Sequence, residues 1–415
     1  MEARDVLALG LGVTPPWRLV DQRLDTSRAP HVLEIRLEAE RGAMFACPVC
    51  GRACKAHDFR EFSWRHLNFF QHHCEITARV PRTDCPEHGV RRVPVPWARE
   101  GSGFTLLFEQ AAMALVREMP VLAAARYMAI TDKRLWRIVE FYVGRALEQL
   151  DLTELRSFAF DETASKRGHN YVTVFIDMGR AARPVVFATP GKGKQTVRAF
   201  KAFLAAHGGR PARVAQVVCD MSPAFLAALA REFPRAEVSV DWFHVVQLFT
   251  SAVDEVRKAE RRHGPMPAAA RWAVLKAADG GRLTDKQAAA LAELEAGDFR
   301  TAAAWRIKEK LRWVRQATSL QAARWRLTCF LRHAREQVAG EPVLEAVAKA
   351  LDTVEKHRTR ILQRWTSTYS NARLEGLNSL FQAARARARG YRNTATFITM
   401  IYLIAAPLGG LFKST

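Results

Sequence analysis

Residues 157–190 read SFAFDETASKRGHNYVTVFIDMGRAARPVVFATP, and their pattern decides the fold. Apolar runs rich in Phe, Val and Ile alternate with turn residues. SFAFDET, YVTVFIDM and RPVVFATP therefore read as three successive strands, the first two joined by the turn Arg167-Gly168-His169-Asn170. A helical pattern follows at about Gln195–Ala206. VAQVVCD is then a buried strand ending at Asp220, and a helix opens near Ser222-Pro223. AEVSVDWFH is a further strand that passes into a helix near Phe243.

Three strands, a helix, a strand, a helix and a strand match the order of a ribonuclease H-like α/β core. In that order Asp161 lies on the central first strand, and Asp220 lies at the end of the neighbouring fourth strand. Glu162 is next to Asp161, and strand alternation turns the two to opposite faces, so one of them points into the site. Asp161 is the choice, with Glu162 the alternative ligand. A third acid, Glu375, stands in SNARLEGLNSLF (370–381) among small and amide residues. Between Asp220 and Glu375 the chain is too long for a loop, and residues 261–360 are nearly all helical in pattern. An all-α insertion that leaves the core and returns accounts for this. Trp305, Trp313, Trp325 and Trp365 read as core anchors of those helices. Each acid also has a structural alternative: Asp220 as a helix cap, and Glu375 as a surface partner of Arg373 or Arg385.

Converging carboxylates suit a hard divalent cation such as Mg²⁺ or Mn²⁺. Two such ions about 3.5–4 Å apart activate a nucleophile and steady a leaving oxygen in phosphodiester chemistry. Asp161 would bridge them, with Asp220 on one and Glu375 on the other.

The N-terminal part carries a different chemistry. Cys47-Pro-Val-Cys50-Gly and Cys85-Pro-Glu-His88-Gly are two closely spaced pairs at tight turns, four ligands for one structural Zn²⁺. The stretch between them leaves room for a hairpin. Cys54, His57, His72 and His73 are substitute ligands, and Cys74 in HHCEITARV reads as a packed thiol. After this zinc-binding β module, FTLLFEQAAMALVREM is an amphipathic helix. VLAAARYMAITDKRLWRIVEFYV then gives two helices broken near Ile130-Thr131-Asp132, the size of a helix-turn-helix. Lys133, Arg134 and Arg137 fall near the start of its second helix, placed to meet DNA.

Lys and Arg total 63 against 42 Asp and Glu, a net charge of +21 over 415 residues, which favours a polyanionic partner. The N-terminus MEARDVLALGLG has neither a basic nor a long apolar signal region, and no charge-free apolar stretch is long enough to span a bilayer, so the expected location is the cytoplasm, without membrane. The run TATFITMIYLIAAPLGGLF reads as a buried terminal helix. The expected domains are 1–100 (strands and zinc module), 101–152 (helix-turn-helix), 153–260 (first part of the core), 261–360 (helical insertion) and 361–415 (return of the core with the third acid).

Several pieces together resemble the bacterial insertion-sequence transposases of the ISL-three family: CPVCG and DCPEHG, WRHLNFFQHHC, FAFDET with KRGHNYVTV, VVCDMSPAF, VDWFHVVQL and SNARLEGLNSLFQAARARARGYRN. The resemblance runs almost the full length. It implies a DDE-type catalytic triad on Asp161, Asp220 and Glu375, and zinc ligands on Cys47, Cys50, Cys85 and His88. It implies a role for His244, which with Asp241 matches a DxxH element of such enzymes. It further implies binding of double-stranded DNA at the inverted repeats, end cleavage and strand transfer, by a homodimer or larger assembly. Arg385, Arg387 and Arg389 would hold flanking phosphates. A catalytically silent DNA-binding regulator derived from a transposase is the alternative, and the intact triad argues against it.

Overall fold

The computed structural model describes residues 3–166, 168, 170–276, 283–366 and 372–408. These fall into two compact units that divide between Tyr142 and Val143.

The first unit opens with helix α1 (Ala3–Gly10) and continues as strands β1 (Trp17–Asp25), β2 (Val32–Ala39), β3 (Met44–Ala46), β4 (Ala53–Phe69), β5 (His72–Cys85) and β6 (Gly89–Arg92). They form one sheet in the order β1-β2-β5-β4-β3, with β6 added to β5. The β4–β5 hairpin is the expected excursion between the two Cys/His pairs, antiparallel from Ala56 opposite Thr83 to Phe69 opposite His72. Its buried face packs Ile76 and Ala78 against three tryptophans, with the Trp97 ring 4.9 Å from Trp17 and 5.7 Å from Trp64. Helices α2 (Leu106–Glu118), α3 (Val121–Tyr127) and α4 (Asp132–Glu148) follow. Thr105 caps α2 by accepting the Phe108 N–H. Thr131 does the same for α4 through the Arg134 N–H. A buried carboxylate, Glu109, ties this helical part together by accepting from Arg99, Ser102 and Tyr142.

The second unit takes in the last turns of α4 from Val143 and continues with β7 (Ser157–Ala164), β8 (Tyr171–Asp177), β9 (Val185–Pro190), α5 (Lys194–Ala206), β10 (Gln216–Cys219), α6 (Pro223–Glu232) and β11 (Glu237–Val240). The element order matches that read from the sequence. Arg167 and His169 of the first turn lie outside the described residues. The sheet order is β11-β10-β7-β8-β9. β7, β8 and β9 are antiparallel neighbours, while β10 runs parallel to both β7 and β11. Phe158, Phe160, Phe175, Phe200, Phe225 and Phe233 fill the space between this sheet and α5 and α6.

The chain then becomes helical: α7 (Trp242–His263), α8 (Ala270–Leu275), α9 (Asp285–Ala296), α10 (Arg300–Arg315), α11 (Leu320–Val338), α12 (Glu345–Lys356) and α13 (Arg358–Leu362). They share one apolar core that includes Phe249, Leu311, Leu327 and Leu351. Trp305 and Trp365 pack half-buried against it, as anchors do. Trp313 and Trp325 depart from that expectation and stand exposed. Finally α14 (Ala372–Arg387) returns to β7, and α15 (Thr394–Ala405) packs on β9, where Tyr402 Oη accepts the Ala188 N–H at 2.8 Å. Among the described residues no helix is long and apolar enough to cross a membrane.

Candidate functional site

The sheet register assembles the acids. Val218 of β10 pairs with Ala159 of β7, so two residues further on Asp220 is level with Asp161. Cys219 pairs with Val240 of β11, which brings Asp241 level with Asp220, and the Asp241 N–H donates to the Cys219 carbonyl at 3.1 Å. Three aspartates thus form a row across three neighbouring parallel strands, Asp161 within β7 and the other two just past the ends of β10 and β11. The sequence showed Asp241 only as the companion of His244; its place in the row comes from pairing register.

Helix α14 supplies the fourth acid. Asn378 Nδ2 donates to Asp161 Oδ2 at 3.0 Å. One turn on, Gln382 Nε2 donates to Thr163 Oγ1 at 2.8 Å and to the Ala164 carbonyl at 3.0 Å. Arg385 donates to that same carbonyl. Positions 378, 382 and 385 make one helix face, and Glu375 is three residues before Asn378 on it. Glu375 is exposed in the first turn, where the helix dipole favours a carboxylate. Arg373 donates to the Ala181 carbonyl at 2.6 Å and Arg385 to the Ala164 carbonyl of β7, so both arginines weighed as alternative partners of Glu375 engage backbone.

The electrostatics describe one cluster. Burial raises the carboxyl of Asp161, countered by the Glu162 N–H bonded to its Oδ1 and by His244, and pushed further by Asp220 and Asp241. Burial also raises Asp220, against the Ser222 N–H that its Oδ1 accepts at 3.0 Å. That bond realises in part the capping role weighed for Asp220. Glu375, although exposed, is raised by partial desolvation of its carboxyl and then by Asp241 and Asp161. Glu162 is pushed up to about 7 by burial, Asp220 and Asp161, with Lys192 opposing. His244, in the first turn of α7 three residues past Asp241, is a neighbour of Asp161, Asp220 and Glu375 alike. Hard oxygen donors that resist ionising together fit a divalent cation such as Mg²⁺. Asn378 adds a buried Oδ1 without a hydrogen-bond partner beside them. The set is open: among the described residues, no three of its ligand atoms lie within 4.8 Å of one another. Asn371, the other amide flanking Glu375 in SNARLEGLNSLF and a candidate to support the site, lies outside the described residues.

The first unit holds the tight cluster. The ligand atoms of Cys47, Cys50, Cys85 and His88 all lie within 4.8 Å of one another. Cys50 Sγ is 3.7 Å from Cys85 Sγ, and His88 Nδ1 is 3.6 Å from Cys85 Sγ and 3.9 Å from Cys47 Sγ. Zn–S bonds of about 2.3 Å in a tetrahedron give edges of roughly 3.8 Å, so these four fit zinc. Each pair is a knuckle closed by a glycine in the left-handed region, Gly51 at φ 72° and Gly89 at φ 64°. The turns aim backbone N–H groups at sulfur: those of Cys50 and Val49 hold the Cys47 thiol down, and those of Glu87 and His88 bring Cys85 to about 7. Cys54 is buried beside the cluster and donates to the Arg52 carbonyl. Cys74 is a packed thiol of β5, pushed up to about 11 by burial. His72 stacks on His31 with ring centroids 5.3 Å apart.

Lys133, Arg134 and Arg137 are all exposed at the start of α4. Arg134 differs from its neighbours: its guanidinium lies 4.2 Å over the Phe104 ring, which commits it to the fold. At the other end of the chain Arg387 and Arg389 are exposed, while Arg385 is half-buried against β7.

Comparison with known proteins places these sites in order. A transposase model of the ISL3 group matches residues 158–401, more than half of the chain. The helix-turn-helix domain of transposase family ISL3 matches residues 93–143. The zinc-finger of transposases IS204, IS1001, IS1096 and IS1165 matches residues 44–88 and contains all four clustered ligands. The chain is 27% identical over 413 residues to the transposase for insertion sequence element IS1557 of Mycobacterium tuberculosis, covering 89% of this chain and 88% of that one. It is 26% identical over 369 residues to the transposase for insertion sequence element IS1001 of Bordetella parapertussis, covering 86% and 87%.

Proposed function

The chain belongs to the ISL3 family of transposases, and on that premise we propose that it binds the inverted repeats of its own insertion sequence, cuts the DNA at their ends and joins the freed 3′-hydroxyls to a target. The observation that supports this reading is geometric: strand register sets Asp220 level with Asp161, and α14, which carries Glu375, docks beside Asp161 through Asn378. The α/β part is read as a ribonuclease H-like core and α8 to α13 as its helical insertion, with α14 closing the core.

Asp161, Asp220 and Glu375 would hold divalent cations, Mg²⁺ or Mn²⁺, which when bound lower the pKa of a nucleophile and screen charge on the leaving oxygen. Asn378 holds the Asp161 carboxylate in one orientation through its 3.0 Å hydrogen bond. His244 would orient the scissile phosphate or one of the carboxylates. One site serves both steps: a water oxygen attacks the phosphorus at the element end, breaking its bond to the 3′-oxygen, which leaves as a hydroxyl with the proton that the water gives up; that 3′-hydroxyl then attacks a target phosphodiester, forming a new P–O bond as the target's own 3′-oxygen leaves and takes up the proton. The zinc module is structural. Lys133, Arg137, Arg387 and Arg389 contact phosphates, and two ends are processed by a homo-oligomer in the compartment that holds the DNA.

The test incubates the full-length protein with duplexes carrying the element's ends and Mg²⁺ or Mn²⁺. Asp161→Ala, Asp220→Ala and Glu375→Ala retain end binding and lose cleavage and strand transfer. Cleavage by any one of the three at the wild-type rate removes that residue from the site. Binding without cleavage by the unaltered chain would instead support the silent regulator.

A further inference from the structure

Trp313 near the end of α10 and Trp325 in the first half of α11 face each other on the surface of the helical region. Their rings are 5.5 Å apart at an interplanar angle of 70°. Trp313 is 38% exposed and Trp325 61% exposed. The helical core is built without these rings, whereas Trp305 and Trp365 join it. Around them the surface is cationic. Arg326 places its guanidinium 5.3 Å from the Trp313 ring centroid and anchors itself by donating to the Trp313 carbonyl at 2.8 Å. Arg315 and Arg324 are exposed on the same two helices.

A chain of side-chain contacts links the pair to the row of acids. Just past Trp313, the Ala317 carbonyl accepts the Trp365 Nε1–H at 2.8 Å. The Trp365 ring lies 5.8 Å from that of Trp242, the residue after Asp241.

We propose that Trp313 and Trp325 form a stacking platform for an unpaired DNA base beside the cleavage site, with Arg315, Arg324 and Arg326 meeting the adjoining phosphates. The inference rests on the DNA-cutting function proposed above and adds to it a site for single-stranded DNA. Two exposed indoles offer ring faces, and a base presents its own face only when it leaves the duplex stack. Charge selects the occupant, because the arginines bordering the rings complement a phosphate backbone.

The test uses the full-length protein and a short single-stranded oligodeoxynucleotide carrying 2-aminopurine. Stacking on indole quenches the aminopurine, and base–aromatic stacking predicts a loss of affinity of roughly 5- to 100-fold in Trp325→Ala and in Trp313→Ala. Trp325→Phe keeps a ring and recovers most of the binding. Affinity for fully paired duplex, carried by the helix-turn-helix, is unchanged in all three. Wild-type affinity and quenching in Trp325→Ala overturn the proposal. So does a change in oligomeric state without DNA together with unchanged oligonucleotide binding, which assigns the rings to a contact between two copies of the chain. Because Trp325 is mostly exposed, a melting scan of the variant separates loss of the platform from loss of the fold. The readout needs no cleavage: if the unaltered chain fails to cut element ends yet Trp325→Ala loses the oligonucleotide, the transposition reading falls and the platform stands.

Discussion

Replacing Asn378 by Ala tests how the site is held. In the native chain its amide donates to Asp161 Oδ2 at 3.0 Å, while its own Oδ1 is buried without a partner. A hydrogen bond to a charged group contributes about 1.5–3 kcal/mol, and each 1.4 kcal/mol is about tenfold, so losing this donor costs roughly 10- to 100-fold. Residues that orient metal ligands show about the same range when removed. The loss falls on the cation-loaded state, in which Asp161 is ionised. Folding loses little, because the deletion also removes an unsatisfied buried oxygen. Expected in Asn378→Ala are a 10- to 100-fold higher Mn²⁺ concentration at half-maximal binding, followed by isothermal calorimetry, and a similar fall in end cleavage at limiting Mn²⁺. DNA affinity stays as it was, and saturating Mn²⁺ recovers most of the rate. Unchanged Mn²⁺ binding would refute the reasoning, and so would a large drop in melting temperature, which would make the amide a structural bond only.

Three further outcomes follow from the structure. Cys85→Ser reduces bound zinc, measured by mass spectrometry, from about one ion per chain to a small fraction and lowers the melting temperature of the first unit, because the metal joins the two knuckles that flank the open end of a long hairpin. Lys133→Ala and Arg137→Ala each reduce the slope of log affinity against log salt by about 1 in filter-binding titrations, while Arg134→Ala also costs about 0.5–1 kcal/mol of folding stability through its lost contact with Phe104. Glu162→Gln raises the melting temperature in magnesium-free buffer above pH 7 and leaves it unchanged below pH 4.5. The carboxyl is raised from 4.5 to about 7, so the stability tied to its protonated form is fully present below 4.5 and lost as pH rises through 7.

What the sequence made legible depended on how each residue is buried. Asp161 and Asp220 were readable because each punctuates an apolar run, and strands buried on both faces write such runs plainly. Asp241 was harder: it ends its strand and caps α7 by accepting the Phe243 N–H, so locally it looks like an ordinary cap. Only the pairing of β10 with β11 puts it level with Asp220. The two exposed tryptophans could not be told from the two anchors, since an aromatic residue at helical spacing gives the same pattern in a core or on a surface. The zinc ligands were legible outright, because a tight Cys-Pro-x-Cys-Gly turn carries its geometry in five residues.

Glu375 is the instructive case. Helical periodicity finds an apolar face turned to the core, and α14 does bury Leu374 and Phe381. The face it turns to β7 is polar: Asn378, Gln382 and Arg385. No hydrophobic pattern marks that docking, and only the motif around it drew attention to the acid. The physical consequence favours the site. Apolar contacts tolerate sliding along a strand, because their energy depends on area rather than direction. Hydrogen bonds to a carboxylate, a hydroxyl and a carbonyl on successive turns do not, because they weaken steeply when distance and angle depart from the optimum. A helix locked to β7 by those bonds fixes the rise and rotation of Glu375, one turn upstream, to within a fraction of a turn. An acid delivered from a segment more than a hundred residues away in sequence is thereby held in register with Asp161 by the same strand that carries Asp161.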